Sequence, residues 1–266
     1  MKEFFKQVLE ARGKIVVNQT STFKIESLID SLHPINCGSE LMRIGPKSDG
    51  GYLLPNDLEG IAACFSPGVD EISDFELACY HRGMQVYLAD RSVSTPNLPL
   101  PKNKYHFLKK HIGCFSNCDC ITIDDWVNKY EPEPDKELLL QMDIEGCEYI
   151  SIVNMSDQLL KRFRILVIEF HFLDELWNPR FFDLAENTFN KVLQNHSCVH
   201  IHPNNCCGMS EHKGIKIPRM AEFTFIRNDR VDFQGYRFDF PHSLDYDNTR
   251  KKSLHLPSNW YRKYFC

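Results

Sequence analysis

Leu138-Leu139-Leu140-Gln141-Met142-Asp143-Ile144-Glu145-Gly146-Cys147-Glu148 decides how this chain is read. An apolar run delivers carboxylates and then stops at a glycine, the pattern of a strand covered on both faces that ends at a polar rim. In parallel sheets the ligand crevice lies just outside the carboxyl ends of the strands, so Asp143 and Glu145 are expected there. Carboxylates at a strand-to-helix junction also have a plainer use, accepting backbone N–H bonds as helix caps. Glu148, one turn into the next helix, is assigned that use. Asp143 is not, because apolar strands with polar ends recur downstream.

Working outward, Phe163-Arg-Ile-Leu-Val-Ile-Glu169-Phe170-His171 repeats the pattern. Glu169 and His171 are two apart, so in extended chain their side chains leave the same face. A long helix is expected through Phe181, Leu184, Ala185, Phe189, Val192 and Leu193. The strand after it, Cys198-Val-His200-Ile-His202-Pro203-Asn204-Asn205, ends in another polar group, and His200 and His202 share or miss the crevice together. Pro218 to Ile226 alternates as an antiparallel strand should, which would bring Arg219 and Glu222 to the same rim.

Upstream, Gly60 to Val69 reads as a strand running into the loop Ser66-Pro67-Gly68-Val69. Asp70 to Tyr80 has helical spacing through Ile72, Phe75, Leu77 and Cys79, and Met84 to Asp90 is a second strand. An acid about 20 residues beyond a glycine loop is the layout of a nucleotide-binding crossover, with Asp90 on a ribose diol. The loop lacks the glycines that admit a pyrophosphate, which favours a nucleoside ligand without one, such as S-adenosylmethionine, over NAD. Taken alone, Asp90 would simply start a loop. Asp49-Gly50-Gly51-Tyr52 signals a tight turn, and Gly51 and Tyr52 would also let backbone and ring approach a flat ligand. Thr122 or Asp124 is expected to cap a helix through Trp126.

The chain has 266 residues and a formal net charge of −5, enough length for one α/β domain and no overall basic field for a nucleic acid. No signal peptide or membrane-spanning apolar run is read, so a cytoplasmic protein is expected. Eleven cysteines are read mainly as buried thiols, since Cys114, Cys118 and Cys120 match no common zinc spacing. Three segments are expected: a helical extension at 1–42, a catalytic domain at 43–230, and an aromatic, basic tail at 231–266 that includes Trp260 and Arg262.

Gathered at one rim, Asp143, Glu145, Glu169, His171 and His202 suit removal of a proton from a hydroxyl, with His171 as base and Glu169 or Asp143 orienting it. A divalent metal on Asp143, Glu169 and His171 is a rival that the spacing does not favour. Ser66-Pro-Gly-Val with Phe75-Glu76, Ala89-Asp90, Ile123-Asp-Asp-Trp, Gln141-Met-Asp-Ile-Glu-Gly-Cys-Glu148 and Val167-Ile-Glu-Phe-His together resemble the FkbM-type methyltransferases from about Arg43 to Arg227. The resemblance implies a class I Rossmann-like fold, mostly parallel with one antiparallel strand near its end, and O-methyl transfer from S-adenosylmethionine to a sugar, glycan or related small molecule. It also implies that Ser66, Pro67, Gly68, Val69 and Asp90 hold the cofactor, with Asp143 at its methionine end. Methylation of nucleic acid or protein nitrogen is a competing reading, but the Asn-Pro-Pro-Tyr type of motif is missing where Asp-Ile-Glu-Gly stands. A nucleoside-binding scaffold without turnover is the non-enzymatic alternative.

Overall fold

The structure, a computed structural model, describes residues 2–14, 16–69 and 73–261. Asp70, Ile72 and Arg262, invoked above, lie outside the described residues. Two helices, α1 (Lys2–Ala11) and α2 (Thr22–Ser31), precede a hairpin of β1 (Leu41–Ile44) and β2 (Tyr52–Pro55). Next come β3 (Ala63–Pro67), α3 (Asp74–His81), β4 (Gln85–Ala89), the short strands β5 (His106–Leu108), β6 (His111–Ile112) and β7 (Cys120–Ile121), α4 (Ile123–Tyr130) and β8 (Leu138–Met142). The second half carries α5 (Glu148–Asn154), α6 (Asp157–Leu160), β9 (Phe163–Phe170), α7 (Pro179–Leu193), β10 (His196–Pro203), the hairpin of β11 (Met209–His212) and β12 (Ile215–Pro218), and β13 (Ala221–Arg227).

Seven strands form one sheet in the order β10-β13-β9-β8-β3-β4-β5. Only β13 runs against its neighbours; β8, β3, β4, β5 and β9 pair in parallel. This is the expected mostly parallel, Rossmann-like sheet with a reversed strand near the end, preceded by helices. The single strand expected from Pro218 to Ile226 is in fact two, because the chain leaves the β11–β12 hairpin at Pro218 before entering the sheet at Ala221.

The apolar run that opens β8 is buried throughout, and its side chains divide between two layers. Leu138, Leu140 and Met142 pack with α4, α5 and α7, while Leu139 packs with α3 and the β1–β2 hairpin. Each such leucine contributes about 1.5–3 kcal/mol by leaving water. Local signals fix the helices that cover the first layer. In α7, Asn178 accepts from the Arg180 amide, Pro179 occupies the first turn, and Phe182, Ala185, Phe189 and Val192 make the buried stripe. In α2, Ser21 caps and Ile25, Leu28 and Ile29 are buried, so this part of the N-terminal extension covers the sheet. Among the described residues, no helix is long and apolar enough to cross a membrane.

Strand β3 is where the topology reverses, since the chain passes to β4 on one side and to β8 on the other. The loops leaving β3 and β8 therefore diverge and open a groove at their carboxyl ends.

Candidate active site

The two loops meet within a single hydrogen bond's reach. The Asp143 amide donates to the Pro67 carbonyl at 3.2 Å, and the Gly68 amide donates to the Ala89 carbonyl at 3.1 Å. Gly68 has φ +87°, and a Cβ there would stand 1.5 Å from the Asp143 carbonyl oxygen. Only glycine allows this approach, which keeps the floor of the groove backbone-thin.

Three cavities share Gly68 and Asp143. The first, about 560 Å³, is mainly apolar, with Ile112, Phe115, Ile144 and Ile150 facing Asp90 across it. Phe115 and Ile150, 56% and 39% exposed, leave apolar surface open on the wall of this cavity. The second, about 300 Å³, is polar and holds Asp143, Glu145, Glu169, His171 and Asn204. A niche of about 70 Å³ lies beside them, with Asp49, Gly50, Tyr52, Glu76 and Gln141 in its wall. An apolar chamber, a glycine-floored waist and a polar chamber thus lie end to end.

His171 is the most tightly held group on the rim. Its Nδ1 lies 3.1 Å from Glu148 Oε1, its carbonyl accepts from the Tyr149 hydroxyl at 2.7 Å, and its Nε2 lies 3.3 Å from Glu145 and 3.8 Å from Asp143. With Nδ1–H given to Glu148, the neutral ring presents the Nε2 lone pair to the polar chamber. The carboxylate bonded to the ring is Glu148, while Asp143 stands at the far nitrogen and Glu169 accepts from Asn204. Glu148 is also the cap it was assigned to be, because the same Oε1 accepts from the Ile144 and Gly146 amides at 3.0 and 3.1 Å. The second role was hidden by the first, since an acid in the first turn of a helix carries no mark of a distant histidine.

Backbone strain concentrates at this point. Glu145 and Phe172 are left-handed at φ 56° and 57°, costly for side chains with Cβ atoms and found where surrounding structure enforces them. Gly146 lets the Phe172 ring close against the turn, since a Cβ there would meet the ring at 2.4 Å.

Charge follows from the crowding. Burial pushes the Asp143 carboxyl up to about 7 against the opposing pull of His171, and Glu148 and Glu145 add to the rise. Burial pulls the His171 imidazole down, but its bond to Glu148 and the nearby carboxylates outweigh this and raise it. Burial and the charges of Asp143 and Glu222 raise Glu169 well above the carboxylate range. Asp143 is thus held near neutrality beside a histidine whose charged form is favoured, so the two share protons readily. Asp143, Glu145 and His171 also bring three ligand atoms within 4.8 Å, as do Asp49, Glu169 and Glu222, so either set has the donors for a cation.

Other expected site residues stand elsewhere. His200 and His202 do go together, but to Asp245 in the tail, at 2.8 and 3.6 Å, and His202 does not line the three cavities. The reason is that the tail covers that side of β10, with Phe240 stacked on His200. Arg219 turns away to pair with Asp174 at 2.9 Å. Ser66 is fully buried and bonds Glu76 and Gln141, and Gln141 donates in turn to Tyr52. Pro67 belongs to β3, so of the first loop only Gly68 and Val69 line the cavities. Gly51 packs against Arg43 and Pro46 while its neighbours Gly50 and Tyr52 face the niche. Asp90 keeps both of its readings: it accepts from Val69 and Ser92 and still faces the large cavities.

A mostly parallel, Rossmann-like sheet with one reversed strand and a groove at its switch point is an architecture that binds ligands at the carboxyl ends of its strands. The family model of the methyltransferase FkbM domain matches residues 89–198, and the chain is related to the FkbM methyltransferases through that segment. The match spans Asp90, Asp143, Glu148 and His171 and supports a transferase-type enzyme. No curated protein matches the chain.

Proposed function

We propose that the protein is an S-adenosylmethionine-dependent O-methyltransferase acting on a hydroxyl of a sugar, glycan or related small molecule. The observation that carries this reading is the His171 ring, locked through Nδ1 by Glu148 with Nε2 open to a polar chamber that shares Gly68 and Asp143 with an apolar one. The groove fits the cofactor by its own chemistry. Ile112, Phe115, Ile144 and Ile150 suit a purine, the remaining edge of Asp90 suits a ribose diol, and Gly68 leaves room for the sulfonium. The niche of Asp49, Tyr52 and Gln141 suits the polar amino-acid end. When bound, the cofactor supplies a methyl group already activated by positive sulfur, so the protein has to align the acceptor and take its proton.

His171 takes that proton at Nε2, and Glu148 stabilises the imidazolium that results. Asp143 and Glu145, close to the same nitrogen, favour the charged ring as well. Ser66, Pro67 and Val69 shape the loop that carries Gly68 and do not need to touch the ligand. A metal-assisted variant of the same reaction would use Asp143, Glu145 and His171 together, and a binding-only scaffold would use the apolar chamber alone.

Calorimetry with S-adenosylmethionine and S-adenosylhomocysteine, followed by transfer of labelled methyl to a panel of sugars, tests the reading. Micromolar binding with transfer that survives a chelator is the expected result. Transfer abolished by chelator and restored by Mg²⁺ or Mn²⁺ would establish the metal-assisted variant, and binding without transfer to any acceptor would leave the scaffold.

A further inference from the structure

The polar chamber is acidic on nearly every side. Asp49, Asp90, Asp143, Glu145 and Glu169 line it, and among the described residues His171 is the only basic group in its wall. Glu222 stands behind Asp49, and single oxygens of Asp49, Glu169 and Glu222 lie within 4.8 Å of one another. Glu169 and Glu222 are 4% and 5% exposed, so water does little to screen them.

His202, opposite Glu222 in the β10–β13 ladder, and Arg43 lend Glu222 positive charge, but Arg43, Lys251, Arg91 and Arg219 bond other groups. Arg43 donates to the carbonyls of Pro46, Ser48 and Leu244, and Lys251 to that of Cys206. Arg91 pairs with Asp119 and Arg219 with Asp174. Two amides answer the carboxylates instead: Asn204 Nδ2 donates to Glu169 at 3.1 Å, and Asn248 Nδ2 bridges Asp49 at 2.9 Å and Glu222 at 2.7 Å. Asn248 is only 9% exposed, its amide lies between the two acids, and its carbonyl oxygen has no partner. Three carboxylates and an unpartnered buried acceptor want N–H donors that carry positive charge. An ammonium group offers three on one atom.

Resting on the methyltransferase reading above, we propose that the acceptor carries an ammonium group near the hydroxyl that is methylated, as amino sugars and amino alcohols do. The ammonium sits among Asp49, Glu169 and Glu222, and the hydroxyl faces His171. The same site rejects phosphorylated sugars and uronic acids, because they would bring like charge against Asp49 and Asp90 and lack the cation that favours the ionised forms of Glu169 and Glu222. A divalent cation would use the same oxygens, and the test separates the two.

The experiment uses the full chain, freed of metal by chelator and saturated with S-adenosylhomocysteine. Binding of glucosamine, glucose and glucuronate is measured by ligand-observed NMR on the native chain and on the Asp49→Asn and Glu222→Gln variants. Glucosamine is expected to bind at least ~10-fold more tightly than glucose, with glucuronate undetected, and either variant should bring glucosamine close to glucose. Equal binding of the three sugars, no binding of any, or a glucosamine preference that both variants retain overturns the proposal. So does glucose binding that appears only with added Mg²⁺ or Mn²⁺, which assigns the oxygens to a metal. Should S-adenosylhomocysteine itself fail to bind, the methyltransferase reading has failed and this inference goes with it; loss of the sugar preference alone leaves that reading intact.

Discussion

Glu148 Oε1 accepts from two backbone amides and faces the His171 ring, so a change there reaches the base without touching the groove. The imidazolium is favoured by that carboxylate, and His171 is expected to titrate above the ordinary histidine value of about 6.5. Glu148→Gln removes the charge while keeping an acceptor oxygen, so the His171 value should fall. Histidine-selective NMR titration of the two proteins checks the sign, and an unchanged His171 would remove Glu148 from the mechanism. His171→Ala should leave S-adenosylhomocysteine binding intact and lower turnover by about 10²- to 10⁴-fold. Gly68→Ala should do the reverse of that first effect, because its Cβ would collide with the Asp143 backbone. The left-handed conformation alone costs about 1–2 kcal/mol, and calorimetry on the variant should find cofactor binding lost along with a lower melting temperature. Asp143 and His171 were legible in the sequence as charged ends of apolar strands. The second role of Glu148 was not, because the histidine it holds is 23 residues away and only the packing of α5 against β9 brings them together.

Elements were legible where a pattern ran for several residues. β8 and β9 are continuous apolar runs, and α7 carries a capped amphipathic stripe, so each could be placed from sequence. β5, β6 and β7 could not, since strands of two or three residues hold no period to read. His196 at the start of β10 gives an element-scale prediction. It is 1% exposed, its Nε2 lies 2.7 Å from the Phe163 carbonyl, and burial depresses the imidazole to about 4. The folded chain therefore holds the neutral ring, whereas the unfolded chain protonates near 6.5. The resulting stability is present above the unfolded value and is lost as pH falls toward the folded one. Between pH 7 and pH 4.5 this single site should remove about 2–3 kcal/mol. Urea midpoints at both pH values should fall further for the native chain than for His196→Gln, and equal falls would mean that His196 does not control the edge of the sheet.

At the scale of the molecule, residues from the extension, the central domain and the tail share one core: Ile25, Leu140 and Trp260 are all buried in the same layer. The tail has no periodicity, which is why its contacts could not be read from sequence, and yet Thr249 helps to close the polar end of the groove. Asp245 is its anchor. Burial alone would raise this carboxyl, but His200 and His202 outweigh that and hold it far below the ordinary range. Three residues on, Asn248 reaches Asp49 and Glu222, and Thr249 borders the polar chamber. Asp245→Asn should therefore act on the tail and not on the apolar chamber, whose walls come from β4, β6, β7 and the β8–α5 turn. Losing one member of a buried charge pair costs about 3–5 kcal/mol, enough to raise the open population of a locally opening tail by roughly two to four orders of magnitude. Limited proteolysis should then cut the variant between 231 and 261 well before the native chain, while S-adenosylhomocysteine binding changes by less than about two-fold. A tail cut no faster in the variant would mean that Trp260, packed against Phe223 and bonded to the Lys216 carbonyl at 2.9 Å, holds it without help from Asp245. Loss of cofactor binding together with faster cutting would instead make the tail part of the whole groove, with both chambers depending on one buried carboxylate.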